Sequence, residues 1–349
     1  MKKPRFSLGS IVMLLATLFV VIGMAAFLTL IAGDGVYERT RAVFGLLADQ
    51  TEEATATPTG VPTASLMPEI TEGPTPSPSP TATPALEPKR LTIAAAGTIY
   101  APKTVRESVQ EGTDHYDFMT TFEGLSGALE NADLSIVTLE TLAAGREKGY
   151  GNYNTTPQIL DALRTVGVNF VSLATERALD KGYDGLDITA SELTSRSIGF
   201  AGVYPDGTNT GAAMANIDGV QVAVLAYTYG LSDEGRERTR DDSRGVVAMM
   251  DSQRVVRDIT QARVDGANIV VVLPHWGTKN RAQTPDTVQT MAREMAQAGA
   301  DVIFGTHPNV AQGVERLQTV RSDGLTYETV VCYSLGCLLT DARDSENTA

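Results

Sequence analysis

The sequence predicts an α/β domain with helices outside and two stacked central sheets, preceded by one transmembrane helix and a disordered stalk. Three observations predict it. Beyond residue 90, strand-like and helix-like segments alternate, the pattern of a sheet covered by helices. The strand-like runs, such as Ile269-Val270-Val271-Val272, are continuously apolar, which suits a sheet buried on both faces. Two of the three histidines, His275 and His307, stand just past such runs, at the strand ends where α/β sheets gather ligand-contacting side chains.

The N-terminus reads Met1-Lys2-Lys3-Pro4-Arg5, and 22 residues without a charge run from Ile11 to Ala32. At about 1.5 Å per residue they cross a ~30 Å hydrocarbon core. Basic residues before the run, with Asp34 and Glu38 after it, put the N-terminus in the cytoplasm and the rest outside. The competing reading is a cleaved signal peptide, whose apolar core is usually only about 7–15 residues. No clear small-x-small cleavage site follows the run, so an uncleaved anchor is expected. Residues 1–33 are then cytoplasmic tip and anchor, 34–90 a juxtamembrane segment and Thr/Pro-rich linker, and 91–349 the folded domain. The linker, with Thr75-Pro76-Ser77-Pro78-Ser79-Pro80-Thr81, cannot bury enough apolar surface to order itself, and its prolines favour an extended, semi-rigid form.

The folded part is long enough for one sizeable core. Residues 1–90 carry seven basic and eight acidic side chains, so nearly all of the net charge of −14 belongs to it. That balance excludes nucleic acid and an anionic membrane surface as partners. Two cysteines, Cys332 and Cys337, are too few for a disulfide scaffold.

Taken in order, strands are expected at 91–96, 134–139 and 169–174, with helices at 118–130, 157–166 and 188–196 among them. Pro157 suits a first helical position after Thr155 or Thr156 as N-cap. Asp218-Gly219 predicts a hairpin between 213–217 and 220–229. Helices at 252–264 and 285–298 each precede a buried-type strand, at 267–273 and 300–304. A last strand, 329–333, ends in Ser334-Leu335-Gly336-Cys337. His115 lies in a polar stretch and is expected in an exposed loop.

Two imidazoles at strand ends suggest a metal-dependent hydrolase site. The ordered set Gly97, Leu139-Glu140, Ser172-Leu173-Ala174, His275-Trp276-Gly277, Gly305-Thr306-His307-Pro308 and Tyr333-Ser334-Leu335-Gly336 resembles the poly-γ-glutamate capsule-biosynthesis (CapA) family, from about Leu91 to Asp341. The resemblance implies a metallophosphatase-like fold, a two-metal site and a setting in capsule or cell-envelope polymer metabolism. The departures are specific. The family's Gly-Asp is Gly97-Thr98, and its Asn-Leu-Glu is Thr138-Leu139-Glu140. Its Ala-Asn-Asn-His becomes Ala174-Thr175-Glu176-Arg177, with Asp180 retained. Lys279 replaces a glutamate after His275, Asn309 replaces a second histidine after His307, and Cys337 replaces an asparagine.

A threonine hydroxyl is a poor ligand for a divalent cation, and Arg177 keeps a fixed positive charge. Lys279 adds a second. Two-ion catalysis is therefore expected to be lost, with no catalytic residue and no cofactor. If any metal binds, it is a single divalent ion held by Glu140, Glu176, His275 and His307. The vestigial site is expected to comprise Thr98, Glu140, Glu176, Arg177, Asp180, His275, Trp276, Lys279, His307 and Asn309.

Several roles stay open. His275 and His307 contact a ligand or support their loops, and the missing partners favour support. Glu140 either ligates or pairs with Arg177. Asp180 reads as a helix or turn cap, and Trp276 as packing beneath the site. Three functions follow: a non-catalytic binding protein with Arg177 and Lys279 as an anion pocket for a cell-envelope polymer or small anionic ligand; a hydrolase or ligase-like enzyme with one metal; and a purely structural envelope protein. The last residues carry no capping element, so a C-terminally truncated domain with one unpaired sheet edge is expected.

Overall fold

Thirteen strands among the described residues build two sheets and a small hairpin in the computed structural model, which describes residues 89–341 except 206, 208–210 and 240–245. These residues belong to the unit Pro84–Ala349. The expected anchor and stalk lie outside them. No helix among the described residues is long and apolar enough to cross a membrane.

The first sheet joins β1 (Ile93–Ile99), β4 (Leu134–Leu139), β5 (Phe170–Ser172), β6 (Gly199–Ala201) and β13 (Cys337–Leu339). Its order is β13-β1-β4-β5-β6, parallel throughout. The second joins β7 (Ala213–Ile217), β8 (Val220–Thr228), β9 (Ile269–His275), β10 (Val302–Phe304), β11 (Val314–Val320) and β12 (Thr326–Cys332). Its order is β11-β12-β10-β9-β8-β7, parallel at the centre and antiparallel at both edges. The hairpin pairs β2 (Gln110–Glu111) with β3 (His115–Tyr116).

Strand periodicity explains the layering. Leu134 and Ile136 of β4, Val222 and Val224 of β8, and Val271 and Leu273 of β9 form one core between the sheets. The alternate residues Val137 and Leu139 face helices α1 (Gln158–Thr165) and α2 (Gly182–Ser195). Ala223, Leu225, Val270 and Val272 face α3 (Ser252–Val264) and α4 (Asp286–Ala298). The result is four layers, helix–sheet–sheet–helix, as the apolar runs predict. In α3 the buried Val255, Ile259 and Ala262 recur at helical spacing, and Asp251 caps the helix by accepting from the Arg254 N–H at 2.9 Å.

Several elements differ from expectation. The helix expected at 118–130 is broken into Met119–Phe122, a 3-10 turn Glu123–Leu125, and Ser126–Leu129, because Gly124 and Gly127 interrupt it. Helix α2 starts at Gly182 instead of 188, since Leu186, Thr189, Ala190 and Leu193 already supply a buried face. Pro157 itself takes the cap position of α1 with no side-chain cap, and the Thr155 hydroxyl is buried without a partner. His115 is exposed but sits on β3. The segment after Gly313, to which the sequence reading assigns no element, is β11, whose cross-strand partner β12 begins at Thr326. Cys337, expected in a loop, opens β13 beside β1. Both cysteines are free thiols.

Two glycines let strand ends approach closely. A Cβ on Gly97 would lie 2.3 Å from the Gly336 carbonyl oxygen, and one on Gly305 would lie 2.1 Å from that of Tyr333. Only glycine fits at either place.

Candidate functional site

The site forms where the C-terminal ends of both sheets' parallel strands meet. From the first sheet come Thr98 in β1, Glu140 just past β4, and Glu176, Arg177 and Asp180 past β5. From the second come Tyr229 just past β8, His275 ending β9, Lys279 in the following loop, and His307 past β10. Backbone bonds fix the ends to one another: Glu140 N–H donates to Ile99 O at 3.0 Å, Tyr229 N–H to His275 O at 3.1 Å, and Ser232 N–H to Glu176 O at 2.8 Å. The last ties a loop of one sheet to a loop of the other.

The two imidazoles touch. His307 Nδ1 and His275 Nε2 are 3.2 Å apart, and His275 Nδ1 lies 3.2 Å from Thr306 Oγ1. Both rings are buried. Burial, the neighbouring His307, Lys279 and Arg177 hold His275 well below the usual histidine range despite Glu176. Burial, with Lys279 and Arg177, lowers His307 to about 4, against the pull of Glu176. Both rings are thus neutral at pH 7. His307 has φ +99°, a left-handed conformation that costs a β-carbon residue of order 1–3 kcal/mol. It persists because Trp276 N–H donates to Thr306 O at 3.0 Å and Asn280 N–H to Pro308 O at 2.7 Å.

Glu176 is the hub. Lys279 Nζ lies 2.5 Å from its Oε1, Arg177 Nη2 lies 3.1 Å from the same oxygen, and the Tyr229 hydroxyl donates to Oε2 at 2.7 Å. Burial raises its carboxyl, but the Lys279 and Tyr229 hydrogen bonds and the two cations outweigh it, holding the group at about 2. Arg177 also reaches Asp180 Oδ2 at 3.4 Å, and the Ser232 hydroxyl donates to Asp180 Oδ1. Asp180 is therefore an ion-pair partner, while Lys181, not Asp180, stands at the cap position of α2. Glu140 is buried, and that burial pushes its carboxyl up to about 7; Glu176 and Asp180 push the same way, and Lys279 and Arg177 oppose.

The structure gathers Glu140, Glu176, Arg177, Asp180, His275, Lys279 and His307, as strand-end placement predicts. Of the two open roles for Glu140, pairing with Arg177 is not what Arg177 does: its guanidinium goes to Glu176 and Asp180. The anion pocket expected from Arg177 and Lys279 meets these same carboxylates, which already use both charges. Trp276 packs in the second sheet's helix-side core and donates to Tyr333 O at 2.9 Å. Asn309 is half-buried at φ +66°, which asparagine tolerates, and its side chain makes none of the cluster's hydrogen bonds. Burial and Glu140 push the Cys337 thiol up to about 12, so it is no thiolate nucleophile. Tyr229 and Ser232 were not anticipated. The strand-end rule that selected the histidines would have selected Tyr229 too.

The two-metal centre that the sequence resemblance implies does not fit this donor set. Both Glu176 oxygens and both His275 nitrogens already have side-chain partners, and two fixed cations stand inside the cluster. The chemistry on offer is a neutral imidazole pair, a near-neutral buried carboxyl and an internally balanced ion-pair network.

The family model described as bacterial capsule synthesis protein PGA_cap matches residues 92–342. The chain is 25% identical over 269 residues to the capsule biosynthesis protein CapA of Bacillus anthracis, covering 73% of this chain and 61% of that protein. It is 28% identical over 189 residues to the PGA biosynthesis protein CapA of Bacillus subtilis (strain 168), covering 54% and 46%. It thus spans about half to three fifths of the length of these relatives. Among solved structures, the calcineurin-like phosphoesterase YfkN from Bacillus subtilis gives a TM-score of 0.42 at 15% identity, over 70% of this chain and 82% of that one.

Proposed function

This chain belongs to the bacterial capsule synthesis protein family, and from that premise we propose that it is a non-catalytic binding member acting on a capsule or cell-envelope polymer. The N-terminal apolar run supports attachment to the membrane with the α/β domain outside. One observation carries the non-catalytic reading. Lys279, 2.5 Å from Glu176 Oε1, and Arg177 supply, from the chain itself, the positive charge that metal ions supply in two-metal sites.

A second reading is a hydrolase or ligase-like enzyme with one metal on Glu140, Glu176, His275 and His307. Its support is that burial keeps both imidazoles neutral, the form in which histidine binds metal. Elemental analysis of the full-length protein, expressed with Mn²⁺ and Zn²⁺ supplied, separates the two. The binding reading expects far less than one ion per chain and no Mn²⁺-stimulated phosphodiester hydrolysis. A stoichiometric ion, with turnover lost on chelation, overturns it.

A further inference from the structure

We propose that Arg106 and Lys181 form a carboxylate-binding site outside the strand-end cluster, on the first sheet's side of it. The proposal rests on the reading of this chain as a binding protein. Arg106, in the helix Lys103–Ser108, is only 7% exposed. Its Nη1 donates to Gly151 O at 3.3 Å, and its guanidinium lies 4.3 Å from the Tyr150 ring centroid. Among the described residues no carboxylate pairs with it, and most of its N–H donors have no protein acceptor. A buried arginine is almost always paired, because an unpaired buried charge is costly. A ring face offsets only part of that cost. The missing partner is an anion.

Lys181 supplies a second cation to the same place. A Cβ on Gly151 would lie 3.5 Å from Lys181 Nζ, so Arg106 and Lys181 flank one exposed glycine. The missing side chain leaves the approach to both cations open. Lys181 is half-buried, and among the described residues it too has no carboxylate partner. It also stands at the N-cap of α2, which has no side-chain cap, so the positive end of a 14-residue helix adds to the field.

The neighbouring cations are all spent. Arg146 pairs with Asp114 at 3.0 Å, Lys148 with Asp184 at 2.8 Å, and Arg177 with Glu176 and Asp180. The chain has 42 acidic side chains against 28 basic ones, so Arg106 and Lys181 do not stand unpaired for want of acids. A carboxylate matches the planar fork of a guanidinium, with the ammonium as a point charge beside it. The site adjoins the cluster: Lys181 follows Asp180, and Tyr153, two residues on from Gly151, lies 3.9 Å beneath the Arg177 guanidinium. An acidic chain held here runs past the cluster's mouth.

The test is calorimetric titration of the full-length protein in a non-glycosidic detergent. The probes are a γ-linked glutamate hexamer, inorganic phosphate and cellotetraose, each with and without EDTA. We expect the hexamer to bind more tightly than phosphate, and cellotetraose not to bind. Arg106→Met should weaken the hexamer about tenfold or more and Lys181→Met about threefold or more. Lys148→Met, whose charge Asp184 already uses, should cost about twofold or less. Arg106→Met should also keep or raise the melting temperature, because it removes an unpaired buried charge. A lower melting temperature with unchanged affinity would make Arg106 a support of its loop and overturn the site. If Arg106→Met does not fold, the half-buried Lys181→Met carries the test. Hexamer binding that neither variant weakens overturns the site and leaves the binding reading standing. Phosphate bound more tightly than the hexamer, or no binding of either, overturns the ligand class. Hexamer binding abolished by EDTA overturns instead the reading of a protein that binds without metal.

Discussion

Two carboxylates at opposite ends of the strands are each flanked by two cations, and they are built differently. Asp301, at the start of β10, is held by Arg263 and by Arg321, the latter at 3.0 Å. There the guanidiniums also serve the backbone: Arg263 donates to the carbonyls of Gly299, Ala267 and Asn268, Arg321 to that of Ala300, and Asp301 accepts from the Val270 N–H at 2.8 Å. That end staples strand starts to helix ends. Glu176, at the other end, has only side-chain partners on its carboxylate: Lys279, Arg177 and Tyr229. The same charge pattern is thus structural where it satisfies backbone carbonyls and replaceable where it does not.

The largest expected effect breaks the staple. Arg263→Met leaves several carbonyls and Asp301 short of a donor, and should cost about 2–4 kcal/mol in urea unfolding. A loss no larger than that of Glu176→Gln would remove the distinction between the two ends.

A smaller effect is the acid limb of stability. The Glu176 carboxyl is held at about 2 against an ordinary 4.5. A folded value below the unfolded one contributes stability above about 4.5, which is lost as pH falls through about 2. Unfolding free energies across that window should decline in the native protein and decline less in Glu176→Gln. Equal slopes would show that the Lys279 and Arg177 contacts do not act on this group.

A third change tests the chemistry of the cluster. Arg177→His with Lys279→Glu restores the family's residues at two positions, removes both fixed cations and adds two donors. It should raise Mn²⁺ affinity about tenfold or more by calorimetry, and lower metal-free stability because the buried Glu176 is left without a cation. Arg177→His should matter most of the two, because it deletes a permanent charge and adds a ligand. An unchanged Mn²⁺ affinity would mean that more than these cations bars the metal.

Much of this is written locally in the chain. The helix over 252–264 has the bounds its periodicity predicts, and Asp218-Gly219 makes its turn with Asp218 at φ 50° and Gly219 at φ 81°. Strand-end placement brought Glu140, Glu176, His275 and His307 to one place. β11 and β13 escaped notice because β11 is an edge strand exposed at alternate positions and β13 has only three residues. Neither length nor pattern then separates a strand from loop.

The sequence by itself determined the α/β class, the order of the longer core strands and helices and which residues stand at strand ends, because side-chain periodicity and turn chemistry act over a few neighbours. Only the tertiary structure decided the partnerships. Glu176 meets Tyr229 across 53 residues and Lys279 across 103, each on a loop of the other sheet. Read singly, Arg177 and Lys279 are free cations awaiting an anion; folded, they are already paired. Coulomb energy falls with distance and rises as water is excluded, so the separations and the burial that decide it exist only once the two sheets are stacked.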